Sequence, residues 1–290
     1  MLTNLAVEGI MKKRILVLLM ALALCPPLVG VRGETLVIPG TGSCENPLNY
    51  LAAVFIQKNP GNEVIIPPSI GPKSGINFVI SNKNMIARVD RPLREDEAKH
   101  GIQYLAFAQD AVVFAVGGKV KIRNLTSFQI IDIFSGKIEN WNEVGGNTAP
   151  IRVLIRQPGD TTLGIITEQM KPFQQITFTE RSKILYHDYE VVEMMTKYKY
   201  AVGMLTLSST FGNEESIKPI AVDSIQPSPD NLMKGRYKMS CEYALVYKEK
   251  RLNELGKKFM DFVFSESARE IMNRYGMVPI TRKKDHETQK

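Results

Sequence analysis

The sequence predicts a protein of the α/β class, in which helices pack on mainly parallel sheets. One observation is the alternation of apolar strands, turns rich in Gly and Ser, and amphipathic helices from residue 34 onward. Another is that strands such as Ala111–Val116 are apolar without interruption, which is typical of strands buried on both faces. The third is a length of 290 residues with 44% apolar and 23% charged residues, enough for one large or two small domains.

The composition excludes several classes of protein. It is not that of a disordered chain, a collagen, a coiled coil or a polytopic membrane protein. The three histidines lie far apart and no HExxH or CxxC motif is present, so no metal, cofactor or Ser-His-Asp triad is expected. The formal charge of +7 is not concentrated in a Lys/Arg block, so nucleic acid is not an expected partner.

Residues 1–33 are predicted to be a secretory signal peptide. Basic residues at 12–14 precede the apolar run Ile15–Leu24, which is too short for a membrane span of about 20 residues. Small residues precede a cleavage after Gly33. A lipid anchor at Cys25 and a start at Met11 remain open. The remaining 257 residues carry a formal charge of +4, and we expect them in the periplasm.

Export places two cysteines, Cys44 and Cys241, in an oxidising compartment. They either pair as a disulfide or remain two separate buried thiols.

The first elements of the mature chain alternate strand and helix. Glu34–Pro39 is predicted as a strand, and apolar residues at helical spacing predict a helix from Pro47 that stops at Asn59–Gly61. Val64–Ile66 is predicted as the next strand and Ile76–Ser81 as a short helix.

Later elements follow the same patterns. Thr126 and Gln129 predict a capping box for a helix that ends at Gly136. Trp141 is interpreted either as a stacking platform or as the anchor of a loop on the core. The other predicted elements are strands Ile151–Ile155, Ala201–Leu205 and Tyr243–Tyr247, and helices Thr161–Met170, Val191–Tyr198 and, as one region, Arg251–Tyr275.

Three turns share one design, because each follows a strand, is rich in Gly, Ser or Thr, and opens a helix. They are Gly40–Ser43, Ser69–Gly75 and Arg156–Thr162. Helix N-termini present unpaired N–H groups and a partial positive charge, and glycine lets an anion approach the backbone. If the three turns converge at the carboxyl ends of the strands, they form a cage for a small oxyanion. Taken singly, each such turn is usually only a helix cap.

Charged residues at these turns admit two interpretations each. Arg156 ends an apolar strand and either clamps an oxyanion or pairs with Asp160, which has the position of a helix N-cap. Asp90 either accepts a proton from a protonated oxyanion or pairs with Arg88 or Arg91.

At these turns the sequence resembles the periplasmic phosphate-binding proteins of ABC transporters, within the type 2 periplasmic-binding-protein superfamily. The most specific similarity is Ile133–Trp141 (IFSGKIENW). The other similar stretches are Gly40–Ser43, Pro67–Ile76, Ile86–Leu93, Asn124–Gly146 and Arg156–Leu163, so that the resemblance spans nearly the whole mature chain.

The resemblance implies a two-lobed fold, each lobe a mainly parallel sheet flanked by helices, with the ligand cleft between the lobes. Residues 34–115 and 241–290 would form lobe 1, and residues 116–240 lobe 2. It also implies a monomer without catalytic residues, cofactor or metal, which captures inorganic phosphate or a related oxyanion and delivers it to an ABC permease in the inner membrane.

Matched to the family's motifs, the resemblance implies these ligand-binding residues: Thr41, Gly42, Ser43, Ser69, Lys73, Ser74, Gly75, Asp90, Arg156, Asp160, Thr161 and Thr162. The sequence departs from the family at Pro72, Lys73, Val89 and Asp160, where small or hydroxyl residues are usual. Two other functions stay open: a sensory or non-transport binding module on the same fold, and a secreted phosphatase or transferase that uses Asp160 or Asp90.

Overall fold

A computed structural model describes residues 33–282 of the chain. Apart from Gly33, the predicted signal peptide lies outside the described residues. The strands are β1 (Thr35–Val37), β2 (Glu63–Ile65), β3 (Ile86–Val89), β4 (Gln103–Gly117), β5 (Asn124–Leu125), β6 (Arg152–Arg156), β7 (Lys183–Leu185), β8 (Ala201–Thr206), β9 (Ile217–Pro219), β10 (Ala221–Val222), β11 (Ser240–Tyr247) and β12 (Val278–Pro279). The α-helices are α1 (Glu45–Lys58), α2 (Pro72–Ile80), α3 (Glu95–Ala98), α4 (Ser127–Ser135), α5 (Thr161–Gln169), α6 (Asp188–Lys197), α7 (Pro229–Met233), α8 (Glu254–Val263) and α9 (Glu266–Arg274).

The predicted elements are present, and several differ in extent: α1, α6 and β11 begin two or three residues before the predicted starts. Helix α2 begins at Pro72 and not at Ile76, since proline is well suited to the first helical turn. The predicted strand Ala111–Val116 is the end of the 15-residue β4. The region predicted as one helix from Arg251 divides into α8 and α9, because the Ser265 hydroxyl caps α9 by accepting a hydrogen bond from the Ala268 N–H (3.3 Å).

Helix α4 has the predicted ends. The Thr126 hydroxyl accepts a hydrogen bond from the Gln129 N–H (3.1 Å), and the Gln129 side chain accepts one from the Thr126 N–H (2.9 Å). Gly136 ends the helix at φ 82°, the left-handed region that favours glycine.

The fold has two lobes joined by long strands. Parallel pairing links β1 to β2, and a bridge between Gly40 and Arg88 brings β3 alongside them in the first lobe. In the second lobe β6 pairs in parallel with β7 and β8. Strand β4 pairs with β11 up to Ala111 and with β8 from Val112 onward, so it runs from one lobe into the other.

The expectation of mainly parallel sheets does not hold for the central strands of the fold. Strand β4 pairs antiparallel with β8, β9, β11 and β12, and β3 pairs antiparallel with β11. Strands β4 and β11 are antiparallel because β4 leads the chain into the second lobe and β11 leads it back. Parallel pairing therefore describes the outer strands of each lobe.

Core packing decides two alternatives left open by the sequence. Trp141 is completely buried and its indole Nε1 donates to the Tyr200 carbonyl (2.9 Å), so it anchors its loop on the core. Cys44 and Cys241 are both buried and free.

Within residues 33–282, no helix has the length and apolar character needed to cross a bilayer.

Candidate ligand-binding cleft

A cavity of about 320 Å³ lies between the lobes, and all three of the predicted turns contribute to it. Its walls are Thr41, Gly42, Ser43, Ser69, Ile70, Gly71, Pro72, Asp90, Arg156, Gln157, Gly159, Asp160, Thr161, Tyr186 and His187.

Four helices begin at this cavity. Helix α1 starts two residues after Ser43, α2 starts at Pro72, α5 starts at Thr161, and α6 starts directly after His187. Each is at least nine residues long, so its N-terminus carries a partial positive charge and unpaired N–H groups. The backbone thus supplies positive potential from both lobes.

Arg88 organises the first-lobe turns from inside the protein. It is completely buried, and its guanidinium donates to the carbonyls of Ile38, Thr41 (2.7 Å) and Pro67 (2.7 Å). It also pairs with Glu45 at the start of α1 (3.3 Å). Arg88 therefore fixes the backbone after β1 and β2.

Asp90 is the acceptor at the centre of the cleft. Its Oδ2 accepts hydrogen bonds from the hydroxyls of Thr41 (2.6 Å) and Ser43 (2.8 Å). Its Oδ1 accepts one from the hydroxyl of Thr161 (3.0 Å), which belongs to the opposite lobe. Burial raises the pKa of Asp90, and the hydrogen bonds from the three hydroxyls partly counter this effect.

The predicted alternative partners of Asp90 have other contacts. Arg88 pairs with Glu45, and Arg91 forms a two-pronged pair with Glu97 (2.7 and 2.8 Å). The carboxylate of Asp90 is therefore bonded to hydroxyl groups and not to these arginines.

Arg156 pairs with Asp160, as one of its two interpretations has it, and it also lines the cavity. Its Nη2 lies 2.7 Å from Asp160, while Nη1 lies 3.1 Å from Asp188. Burial opposes its charge, but the two carboxylates outweigh burial and raise the pKa of Arg156. Its buried Nε has no hydrogen-bond partner within residues 33–282, whereas Nη1 is held by the ion pair with Asp188.

Asp160 is also the N-cap that the sequence predicts. Its Oδ1 accepts a hydrogen bond from the Leu163 N–H (3.2 Å) and its Oδ2 from Arg156 (2.7 Å). One carboxylate thus fixes the start of α5 and orients the arginine.

Sequence patterns did not identify three residues at or beside the cleft: Asp188, Tyr186 and His187. Asp188 is buried and accepts hydrogen bonds from the hydroxyls of Thr206 (3.0 Å) and Ser209 (2.8 Å) while facing Arg156. Tyr186 and His187 line the cavity just before α6. The available signal was a fourth strand-to-helix turn, but it lacks the Gly and Ser residues that marked the other three.

Four predicted residues lie outside the cavity wall within the described chain. Gly75 is buried where a Cβ atom would come within 2.8 Å of the Gly40 Cα, so its role is close packing. Thr162 is buried in the first turn of α5. Lys73 is exposed and lines a wider groove at the mouth of the cleft, and Ser74 follows it in α2.

Helix N-termini and one arginine are donors that suit a small oxyanion, whereas the hydroxyls of Thr41, Ser43 and Thr161 donate to Asp90 in this structure. Within residues 33–282, no group of three or more His, Cys, Asp or Glu residues could hold a metal ion.

Two α/β lobes with such a cleft between them define a bilobal ligand-binding protein. The chain belongs to the PBP superfamily, since the model of a PBP superfamily domain matches residues 30–267.

Individual relatives agree with this assignment. The phosphate-binding protein PstS of Borreliella burgdorferi is 23% identical over 253 residues, which are 85% of this chain and 91% of that protein. PstS of Bacillus subtilis is 23% identical over 257 residues, 85% of this chain and 81% of that protein. Among solved structures, a substrate-binding protein assigned to phosphate ABC transport in Clostridium perfringens, with bound phosphate, is 28% identical with a TM-score of 0.73. That match covers 85% of this chain and 100% of the other.

Proposed function

We propose that this protein captures inorganic phosphate in the interlobe cleft and delivers it to an ABC permease in the inner membrane. The observation that carries the proposal is the convergence of Arg156, four Ser and Thr hydroxyls and four helix N-termini on one cavity. Arg156 and the helix N–H groups donate to an oxyanion, and the hydroxyls of Thr41, Ser43 and Thr161, which donate to Asp90 in this structure, would turn their protons toward it. The phosphate ligand named for the PstS relatives supports the choice of phosphate.

Asp90 favours phosphate over sulfate in this proposal. A carboxylate can only accept hydrogen bonds, so it requires a ligand oxygen that carries a proton. Inorganic phosphate retains at least one proton at neutral pH, whereas sulfate has none. We therefore expect Asp90 to accept a hydrogen bond from phosphate and to repel sulfate.

We assign ligand contacts to the hydroxyls of Thr41, Ser43, Ser69 and Thr161, the backbone at Gly42, and the side chain of Arg156. Asp160 orients Arg156 from the cavity wall. We expect Ser74, Gly75 and Thr162 to support the turns, and Lys73 to attract the anion at the mouth of the cleft.

The cleft closes on the ligand by movement of two lobes. We place lobe 1 at residues 34–115 and 241–282, and lobe 2 at residues 116–240; residues 283–290, which the sequence assigns to lobe 1, lie outside the described residues. The change of partner along β4 between Ala111 and Val112 supports this division. Donors from both lobes contact one anion only in the closed state, so the ligand favours closure.

The proposed protein is exported by the signal peptide of residues 1–33 and acts as a periplasmic monomer. It catalyses no reaction, needs no cofactor and binds no nucleic acid.

Calorimetric titration of the protein with phosphate, arsenate, sulfate, molybdate and tungstate tests this function. We expect saturable binding of phosphate and arsenate, which are both protonated at neutral pH, and much weaker binding of the other anions. Tightest binding of sulfate, molybdate or tungstate would assign a different transported anion, and no binding of any of them would refute the proposal.

A further inference from the structure

A second cavity, of about 670 Å³, lies at the far side of the second lobe. It opens at the amino-terminal ends of β6, β7 and β8, and we call it the basal cavity. Arg152 at the start of β6 lines it, whereas Arg156 at the other end of the same strand lines the cleft. Four residues of extended strand separate the two by ~13 Å, so the basal cavity is a separate site.

The walls of the basal cavity are largely apolar. The partly buried side chains of Ile138 and Ile151 line it, and the buried Ile133 and Val153 close its inner end. The ring of Tyr198 adds an aromatic face. A cavity of this size with largely apolar walls is typical of small-molecule sites.

Cations surround the apolar walls. The lining residues include four cationic side chains, those of Arg152, Arg181, Lys197 and Lys199, and among the described residues Glu139 is the one carboxylate of the lining. Arg181 is paired with Glu139 (2.8 Å). Arg152 and Lys197 lie over the ring of Tyr198, at 5.4 and 5.6 Å from its centroid. The cationic side chains that line the basal cavity thus outnumber its carboxylates.

We propose that the basal cavity binds an amphipathic anion, a long-chain carboxylate, with its hydrocarbon chain on the apolar wall and its head group among Arg152, Lys197 and Lys199. The apolar wall favours a ligand with a hydrocarbon chain over a compact, fully hydrated ion such as phosphate, which gains nothing from covering apolar surface. The excess of positive charge selects an anionic head group over a cationic or neutral one.

Trp141 provides a local probe of the basal cavity. It is the one tryptophan of the chain, and its indole Nε1 donates to the carbonyl of Tyr200, which lines the cavity. We expect dodecanoate, added to the full chain below its micellar concentration, to change Trp141 fluorescence to saturation. Dodecyltrimethylammonium, which has the same chain and the opposite charge, should give no saturable change.

Charge reversal tests where the head group binds. Arg152→Glu and Lys199→Glu should each weaken dodecanoate binding at least about tenfold, the effect expected from loss of one charge-assisted contact. Lys250→Glu, a change at an exposed lysine outside both cavities, should leave dodecanoate binding unchanged. Phosphate affinity should be the same in all three variants, so this test is independent of the proposed function.

Absence of saturable binding would overturn the proposal. So would equal binding of the cationic detergent, or wild-type affinity for dodecanoate in both Arg152→Glu and Lys199→Glu.

Discussion

Asp160 gives the cleft an unusual charge balance for an anion site. Arg156 is flanked by Asp160 (2.7 Å) and Asp188 (3.1 Å), and Asp90 faces it from the other lobe. A bound phosphate therefore meets carboxylates as well as donors, and like charges at such distances repel strongly in a partly buried site.

Asp160→Ser is expected to strengthen phosphate binding about tenfold, because it removes one negative charge and frees one N–H of Arg156 Nη2, whose other contact is the Tyr186 carbonyl. Serine still caps a helix, so α5 should remain equally stable. Calorimetric titration of phosphate checks the change in affinity. Unchanged or weaker binding would mean that Asp160 does not repel the ligand.

Asp160→Ala is the matched control for the cap. It removes the same charge but also the acceptor for the Leu163 N–H, which should cost ~1 kcal/mol of unfolding free energy. Urea unfolding of the two variants separates the effects of charge and capping.

The role of a single residue could be predicted where it depends on residues that are close in sequence. The Asp160 cap follows from its position before α5, and the glycine-rich turns point to the cleft. The contact between Arg156 and Asp188 depends on β6 and α6 meeting across 32 residues of sequence, so no local pattern could reveal it. The bonding of Asp90 to three hydroxyls likewise depends on how the two lobes approach each other.

At the scale of elements, Gly136 ends α4 and Gly145 ends the short 3-10 helix Trp141–Val144, in the same conformation but in different surroundings. Gly136 and Gly145 both have φ 82°. A Cβ atom at Gly136 would meet the Thr179 side chain at 2.9 Å, whereas at Gly145 nothing lies within 4 Å.

Gly136→Ala should therefore destabilise the protein more than Gly145→Ala. Both substitutions strain the backbone by ~1–2 kcal/mol, and only the first adds a collision with Thr179. Urea unfolding measures both free energies. Equal losses would show that Thr179 moves aside at no cost.

Asp110 lies on β4 where this strand passes between the lobes. It is completely buried, accepts a hydrogen bond from Tyr243 on β11 (2.8 Å), and faces the Ser208 N–H (3.2 Å) after β8. Its pKa is raised to about 7, chiefly because burial disfavours the charged carboxylate; the hydrogen bonds from Ser208 and Tyr243 partly counter this, and nearby Asp188 adds to it. The junction of the lobes thus contains a group that titrates near neutrality.

Asp110 should make the protein less stable as pH rises. An unfolded aspartate loses its proton near pH 3.9, but the folded protein holds it to about pH 7. Between these values the folded state binds more protons, so the free energy of unfolding falls with rising pH, by up to ~4 kcal/mol for this group. Asp110→Asn should reduce the difference in stability between about pH 5 and about pH 8.

The same pH dependence in Asp110→Asn and in wild type would contradict this assignment. Urea unfolding at the two pH values provides the comparison, and Asp230→Asn, at an exposed position of α7, is the control.

The sequence was informative about elements whose signals are short-range. The capping box and terminal glycine of α4 were predictable because three or four neighbouring residues make these contacts. The length of β4 was not, because residues 103–110 become a strand through pairing with β11, which lies some 130 residues later in the chain. The division between α8 and α9 depended on one serine cap inside an otherwise helical pattern.

At the scale of the whole molecule, the two-lobed arrangement could be expected from the strand order and the family resemblance. The antiparallel centre follows from chain continuity, because β4 enters the second lobe and β11 returns from it. The hydrogen bond between Thr161 and Asp90 already joins the two sides of the cleft (3.0 Å). A ligand that bridges the same groups would strengthen the closed state.

The central claim is that the cleft binds phosphate through Arg156. Calorimetric titration of phosphate into wild type, Arg156→Ala and Arg156→Lys, each first shown to be folded by circular dichroism, tests it most directly. Loss of a charge-assisted pair of hydrogen bonds should weaken binding by at least about tenfold in Arg156→Ala. Arg156→Lys should recover only part of the loss, because lysine lacks the planar fork. Wild-type affinity in a folded Arg156→Ala variant would contradict the account.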